Sequence, residues 1–530
     1  MFHMLRGPRT LAALLLPCSI LLHGPPLPVQ AKHASESDAS RDLSRAEFKD
    51  KVRGGWAGKM IGVTYGAPTE FHYLQRINED PRDWKPEELR GALDQDDLYV
   101  QMTFAEVMDR LGLDAPIAAY VEAFRAPRYR VWHANLRLRR LLARGITAPM
   151  SSHPELSYHI NDISFQFESD FIGLMCPGLP AAAQKYADRV GHVLFFGDGV
   201  YSGMFVSAMY AAAFFEKDPR RVVEAGLSSI PADSTYAQTI RDVLTWSEQN
   251  NDWKKTWRLL EEKWDRDDAC PEGALRPFNI NANLNGAYVV LGLLYGRGDF
   301  EKTIDIAMRA GQDSDCNPAT AGGILGTMIG YHDIPAKWTA PLPALADTKF
   351  TSTIYTFNSM ADSTVKRAKL VVAGEGGRVD DRGFVIPFQK PRGVKLEQFS
   401  PGKVVERIAS QDPRWTWKGT WERSDSGKPV MSSRKAKDEA TVTFEGTGVL
   451  IATQLRPDAG LVDVYLDGSY MATVDGYDEF ERHESEGLWG KFDLKPGPHA
   501  IRLVVKGEPY RDSGDAWVHI EDLIVFLKGG

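Results

Sequence analysis

Gly54-Gly55-Trp56-Ala57-Gly58-Lys59-Met60-Ile61-Gly62-Val63-Thr64-Tyr65-Gly66-Ala67-Pro68-Thr69-Glu70-Phe71 is the stretch that decides how the first part of this chain folds. Gly54, Gly58, Gly62 and Gly66 recur every four residues, so on a helix they form one face without side chains. Such a face lets a neighbouring helix approach closely. Pro68 then ends the helix. Packing alone accounts for the glycines. A helix that also delivers Glu70 into a cleft is the functional reading.

Two acidic clusters extend this reading. Asp94-Gln95-Asp96-Asp97 comes early, and Gly311-Gln312-Asp313-Ser314-Asp315-Cys316-Asn317 comes far later. Each precedes an apolar, small-residue stretch of helical period. Carboxylates this close raise one another's pKa unless positive charge lies between them. Magnesium and calcium prefer carboxylate oxygens. Alone, either cluster reads as a helix N-cap, where aspartate satisfies unpaired amides and suits the helix dipole. Two such clusters point to a metal site, and a two-metal site takes roughly four to six carboxylates. Gly322, Gly323 and Gly326 follow the second cluster and predict close approach of another helix or a bound group.

The chain has 530 residues, 43% hydrophobic and 25% charged, with a net charge of −8. That length predicts two domains. The acidic balance argues against nucleic acid or an anionic membrane surface as partner. Arg6 and Arg9, the apolar run Leu11 to Leu22 and Val29-Gln30-Ala31 read as a secretory signal over 1–31. The protein is therefore expected to be secreted or periplasmic, with no stable membrane insertion. Residues 32–43 are polar and expected to be disordered. Cys18 falls in the leader. Cys176, Cys270 and Cys316 are too widely spaced for a disulfide framework, and a single bridge stays open.

Helical spacing dominates 44–386. Leu98, Met102, Ala105, Val107, Met108 and Leu111 form one stripe; 208–215, 287–295, 319–329 and 359–372 read as further helices. Residues 387–402 have the Pro/Gly/Lys character of a linker. From 403 to 530 the period changes to two. Strands are expected at 440–444, 461–466, 499–505 and 517–527, with Asp467-Gly468 as a hairpin turn. This predicts a β-sandwich of jelly-roll, galactose-binding-like type and a candidate carbohydrate-binding module. Trp415, Trp417, Trp421 and Tyr470 offer rings for stacking on sugars, though sandwich aromatics are more often core.

With these motifs in place, the chain resembles the ADP-ribosylglycohydrolase family over about 44–372. That family has a glycine-spaced first helix ending in Gly-x-Pro-x-Glu-Phe, then Thr-Asp-Asp-Thr, then Gly-Gly-Asp-Thr-Asp-Thr-Asn before an Ala/Gly-rich helix. Here these read Gly66-Ala67-Pro68-Thr69-Glu70-Phe71, Gln95-Asp96-Asp97-Leu98 and Gly311 to Asn317. The resemblance implies an all-α orthogonal bundle with two magnesium ions, or manganese, in a central cleft. It implies metal ligation by Asp96, Asp97, Asp313 and Asp315, and an acid/base role for Glu70. Gln95 and Cys316 replace threonines that touch metal in the family. Gln95 keeps a carbonyl oxygen, whereas Cys316 is a soft ligand that suits magnesium poorly.

The middle of the chain departs from the family. Its usual Asn-Gly-x-x-Met-Arg type loop is missing, and Asn161 to Leu174 instead brings Asp162, Gln166, Glu168 and Asp170. Asp162 is a second acid/base candidate. Glu168, Asp170, Asp198, Tyr201 and Asn317 are substrate-binding candidates, with a solvated helix face as the plain alternative for the first two. Gly197 to Gly203 opens a helix whose amides suit an anion, or forms a plain loop. The expected activity is hydrolysis of an N- or O-glycosidic bond to ADP-ribose or a related furanosyl glycan, with a small-molecule or glycan partner. The competing readings are a non-catalytic glycan-binding protein on a degenerate hydrolase fold, and a nucleotide phosphohydrolase.

Overall fold

The computed structural model describes residues 40–126, 128–265, 269–425 and 427–529. The expected signal segment lies outside the described residues, as do positions 32–39. A helical domain comes first, and an antiparallel β region follows it. The helices expected at 98–111, 208–215, 287–295, 319–329 and 359–372 are all present in outline. The stripe of the helix Asp96–Leu111 is buried except for Leu111, which is exposed at the last turn.

The helical domain is organised around one contact. The helix Arg45–Gly66 runs against the helix Cys316–Ile329. A Cβ at Gly58 would overlap the Gly322 carbonyl, and one at Gly66 would overlap the Ser314 carbonyl. The reverse also holds, since a Cβ at Gly326 would overlap the Gly54 carbonyl. The two backbones therefore touch along the whole glycine stripe. The pairing is antiparallel, so the end of the first helix meets the start of the other.

At the domain edges one expectation is corrected and another gains detail. Residues 40–43 are not disordered, because Ser40–Ser44 forms a strand paired antiparallel with Gly383–Pro387. Its Ser-Arg-Asp-Leu-Ser sequence lacks alternation, but Leu43 enters the core and the partner strand supplies the hydrogen bonds. The segment after Pro387 has no regular structure until Lys403, and this linker lies as a strap against the helical domain. Its Arg392 amide donates to Gln184, and its Glu397 amide donates to the Tyr201 hydroxyl.

The β region holds a seven-stranded antiparallel sheet and a smaller three-stranded sheet. Gly460–Leu466 and Ser469–Asp475 form the expected hairpin. Asp467 and Gly468 both take positive φ, 50° and 79°, as a two-residue turn of this kind requires. Glu439–Leu455 shows why one strand reads as almost wholly buried. Val449 and Ile451 face the sandwich core, while Leu450 and Ala452 pack toward Ala274 and Tyr158 of the helical domain. The period-two rule is obeyed, but both faces are covered. Arg144 pairs with Asp475 at 2.6 Å and Arg276 with Asp522 at 3.2 Å across the same junction. No described helix is long and apolar enough to cross a membrane.

Candidate metal centre

The antiparallel glycine contact fixes the site. Residues Ala67–Thr69 form one tight turn after the first helix and leave Glu70 at the exit. The Phe71 amide donates to the Gln312 carbonyl at 2.9 Å, and the Gln312 amide donates to the Tyr73 carbonyl at 3.1 Å. These bonds tie the Glu70 segment to the second acidic cluster. Gly311 and Gln312 both have positive φ, 88° and 53°, which bends the chain so that Asp313 and Asp315 face inward.

Asp315 is the N-cap of the helix Cys316–Ile329, accepting a bond from the Cys316 amide at 2.9 Å. The N-cap reading and the site reading thus hold together. Ligand atoms of Glu70, Asp313 and Asp315 lie within 4.8 Å of one another, as do those of Asp97, Asp315 and Cys316. The two remote clusters have converged, with Asp315 shared between them. Asp96 opens the helix Asp96–Leu111 beside Asp97, whose amide donates to it at 3.1 Å. Gln95 is half-buried at the N-cap position of that helix.

The electrostatics show groups that cannot all ionise unaided. The negative charge of Asp315, then burial, push the Glu70 carboxyl up to about 10, although Glu70 is solvent-exposed at the rim. Burial, with Asp97 and Asp315, pushes Asp96 up to about 8. Burial, then Asp97, raises Asp315 to about 6, and burial, then Asp315, raises Asp313 well above its ordinary range. A hard divalent cation relieves this repulsion, and an all-carboxylate donor set fits one. The residues present therefore fit magnesium or manganese.

Two neighbours shape the centre. Lys59 is fully buried and places its ammonium 3.0 Å from Asp97 Oδ1 and 2.8 Å from Asp170 Oδ2. The Cys316 thiol donates to Asp97 Oδ2 at 3.0 Å. Burial and the surrounding carboxylates push the thiol pKa up, which favours this protonated, donating form. Both oxygens of Asp97 are thus held in place. Lys59 went unremarked in the sequence. Its signal was a lone charged residue inside the glycine-spaced stretch Gly54 to Gly66.

The remaining expected site residues make other contacts. Asp170 is 0% exposed and engaged by Lys59, so it faces the back of the centre rather than a substrate. Glu168 is equally buried and accepts from Asn135 at 2.5 Å. Asn317 is buried and donates to Asn285 at 2.9 Å, tying two helices. The Tyr201 hydroxyl donates to the Lys395 carbonyl and holds the strap. The amide end of the helix Asp198–Ala213 does meet an anion, but it is the strap's Glu397, 3.2 Å from the Gly197 amide. Asp198 is half-buried in a cleft of about 620 Å³ that Asp162 also lines. Asp162 is 2.7 Å from His159 Nδ1 and groups with His133, His159 and Cys270, not with Glu70. Trp415 and Trp417 stack 5.0 Å apart against the sandwich core, whereas Tyr470 is exposed.

Comparison with known proteins finds one family and a few partial similarities. The family described as ADP-ribosylglycohydrolase matches residues 44–370. A solved structure described as an ADP-ribosylglycohydrolase-related protein complex is 16% identical, covering 62% of this chain and 99% of that one, with a TM-score of 0.40. A carbohydrate-binding module of a xylanase from the hindgut metagenome of Trinervitermes trinervoides is 17% identical over 24% of this chain and 96% of that one, with a TM-score of 0.18. An A type blood α-D-galactosamine galactosaminidase of Flavonifractor plautii is 30% identical over 107 residues, 19% of this chain. The chain spans 10% of the length of that curated relative.

Proposed function

The chain belongs to the ADP-ribosylglycohydrolase family, and from that premise we propose that it is a divalent-metal-dependent glycoside hydrolase acting on an N- or O-glycosidic bond to ADP-ribose or a related furanosyl glycan. The observation that carries this reading is the convergence of Glu70, Asp313 and Asp315 with Asp97 in one carboxylate cluster. Asp96, Asp97, Asp313 and Asp315 would hold the metal, with Glu70 bordering it. When bound, the cation supplies positive charge that polarises sugar hydroxyls and water.

The chain's own groups perform the rest. Cleavage of a furanosyl bond develops oxocarbenium character. Glu70 is the carboxyl that is both exposed and proton-retentive. Its carboxyl protonates the leaving oxygen or nitrogen, or as carboxylate takes the proton of the attacking water. Lys59 and Cys316 fix the two oxygens of Asp97 and so set the direction of its charge. Asp315 is fixed by its own capping bond. The pocket's negative charge and the absence of the family's phosphate-facing loop favour a neutral furanoside over a diphosphate. The leader-like residues 1–31 favour a secreted or periplasmic setting, where glycans are abundant.

The test is a screen of ADP-ribosylated substrates and aryl furanosides with and without magnesium, repeated on Asp315→Ala. We expect sugar release that needs metal and vanishes in Asp315→Ala while the fold persists. Full activity in that variant, or sugar affinity indifferent to EDTA with no turnover, overturns the reading.

A further inference from the structure

A second donor cluster lies outside the acidic centre. Ligand atoms of His133, His159, Asp162 and Cys270 all fall within 4.8 Å of one another. A small apolar group that includes Ile163, Phe167, Phe278 and Ile280 contains both Cys270 and Cys316 and lies between the two clusters. The four donors come from three separate segments. His133 starts the helix His133–Ala143, His159 and Asp162 sit in the turn before Ser164–Glu168, and Cys270 sits in the stretch before Ala282–Gly296.

The orientation of His159 is the decisive detail. Its Nδ1 faces Asp162 Oδ2 at 2.7 Å and Cys270 Sγ at 3.6 Å. Its Nε2 faces Glu486 Oε2 of the β region at 3.3 Å. One ring nitrogen thus looks into the donor cluster while the other looks at a carboxylate. Metal-bound histidines show this arrangement, with the outer carboxylate fixing the tautomer and ring plane. His159, Asp162 and Cys270 are 1%, 3% and 2% exposed, and His133 Nδ1 is a buried nitrogen without a hydrogen-bond partner. Two imidazoles, a thiol and one carboxylate form a soft to borderline set, unlike the carboxylate-dominated centre at Asp315. Tetrahedral zinc, with ligand bonds of about 2.0–2.3 Å, needs donors about 3.5 Å apart. Small side-chain shifts from the present spacing reach that.

We propose that His133, His159, Asp162 and Cys270 form a structural site for zinc or a similar borderline transition metal, with Glu486 as the outer partner of His159, fastening the helical domain to the β region. Four protein donors close the coordination shell, which suits a structural role rather than catalysis. Binding would displace the Cys270 thiol proton and leave the thiolate on the metal.

The experiment uses the full chain, stripped of metal and titrated with cobalt(II), which reports a thiolate ligand by a near-ultraviolet charge-transfer band. We expect one such band per chain in the wild type. It should persist in Cys316→Ser, which removes the thiol of the acidic centre, and disappear in Cys270→Ser. Zinc should displace the cobalt with loss of the band. Glu486→Gln should keep the band and weaken binding about 10–100-fold. This variant guards against a Cys270→Ser protein that fails to fold. No band in the wild type, or a band that survives Cys270→Ser, overturns the proposal and leaves an imidazolium held between Asp162 and Glu486.

Discussion

Lys59 and Asp97 are both fully buried, with Nζ 3.0 Å from Oδ1. Burial alone would lower the lysine pKa, but Asp170 and Asp97 more than reverse this and keep the ammonium charged. Removing one partner of such a pair strands the others without compensation, at a cost of about 3–5 kcal/mol. Lys59→Met should therefore lower the thermal midpoint sharply and also weaken magnesium binding, because Asp97 loses its anchor. A variant that melts with the wild type would show that the pair is dispensable.

The glycine stripe makes a second, opposite-signed comparison. Alanine stabilises a free helix by about 1 kcal/mol over glycine. At Gly58 the new methyl would overlap the Gly322 backbone, which cannot move aside as a side chain can. Overpacking costs about 1–3 kcal/mol, and the overlap should win. Gly374 ends the helix Phe357–Gly374, and a Cβ there meets nothing within 4 Å. Thermal unfolding should show Gly58→Ala destabilised and Gly374→Ala unchanged or slightly more stable. Equal behaviour of the two would remove the close-approach argument.

The same stripe explains how much of the molecule could be read in advance. A four-residue glycine spacing needs no partner to be visible, and it forecast the tight contact. The aspartates were legible because each cluster is local, while their convergence rested on resemblance. Lys59, Cys316 as donor to Asp97, and the reach of Glu486 to His159 depend on contacts across 38, 219 and 327 positions, and no local pattern encodes such pairs. Asp170 and Glu168 were expected to bind substrate or to form a solvated helix face, and their burial excludes the solvated face. Charged residues are almost never buried unless paired, and Lys59, the partner of Asp170, was missed.

In the proposed mechanism Glu70 separates catalysis from metal holding. It is the exposed member of the cluster, with its proton retained by the charge of Asp315. Glu70→Gln keeps a carbonyl oxygen but cannot exchange a proton. We expect kcat to fall about 10²–10⁴-fold, with magnesium still bound in calorimetric titration. Asp315→Ala, by contrast, should lose both. Loss of magnesium binding in Glu70→Gln would make Glu70 a ligand first and an acid second.

The pH dependence of the metal-free protein follows from the same carboxylates. Asp96 is held up to about 8 and Asp315 to about 6, against an ordinary 3.8. In the unfolded chain both ionise near their ordinary value. Between those limits the native state binds more protons than the unfolded state, so stability falls as pH rises through the window. Asp96→Asn removes one of the two groups and should flatten that decline. Magnesium competes with the same protons, so the rise in thermal midpoint on adding it should be larger near about pH 8 than near about pH 5. In Asp96→Asn the magnesium response should shrink at the higher pH most. A metal-free midpoint that climbs over this range relative to Asp96→Asn would mean the centre is already neutralised from within, and that no cation is needed to hold its charges together.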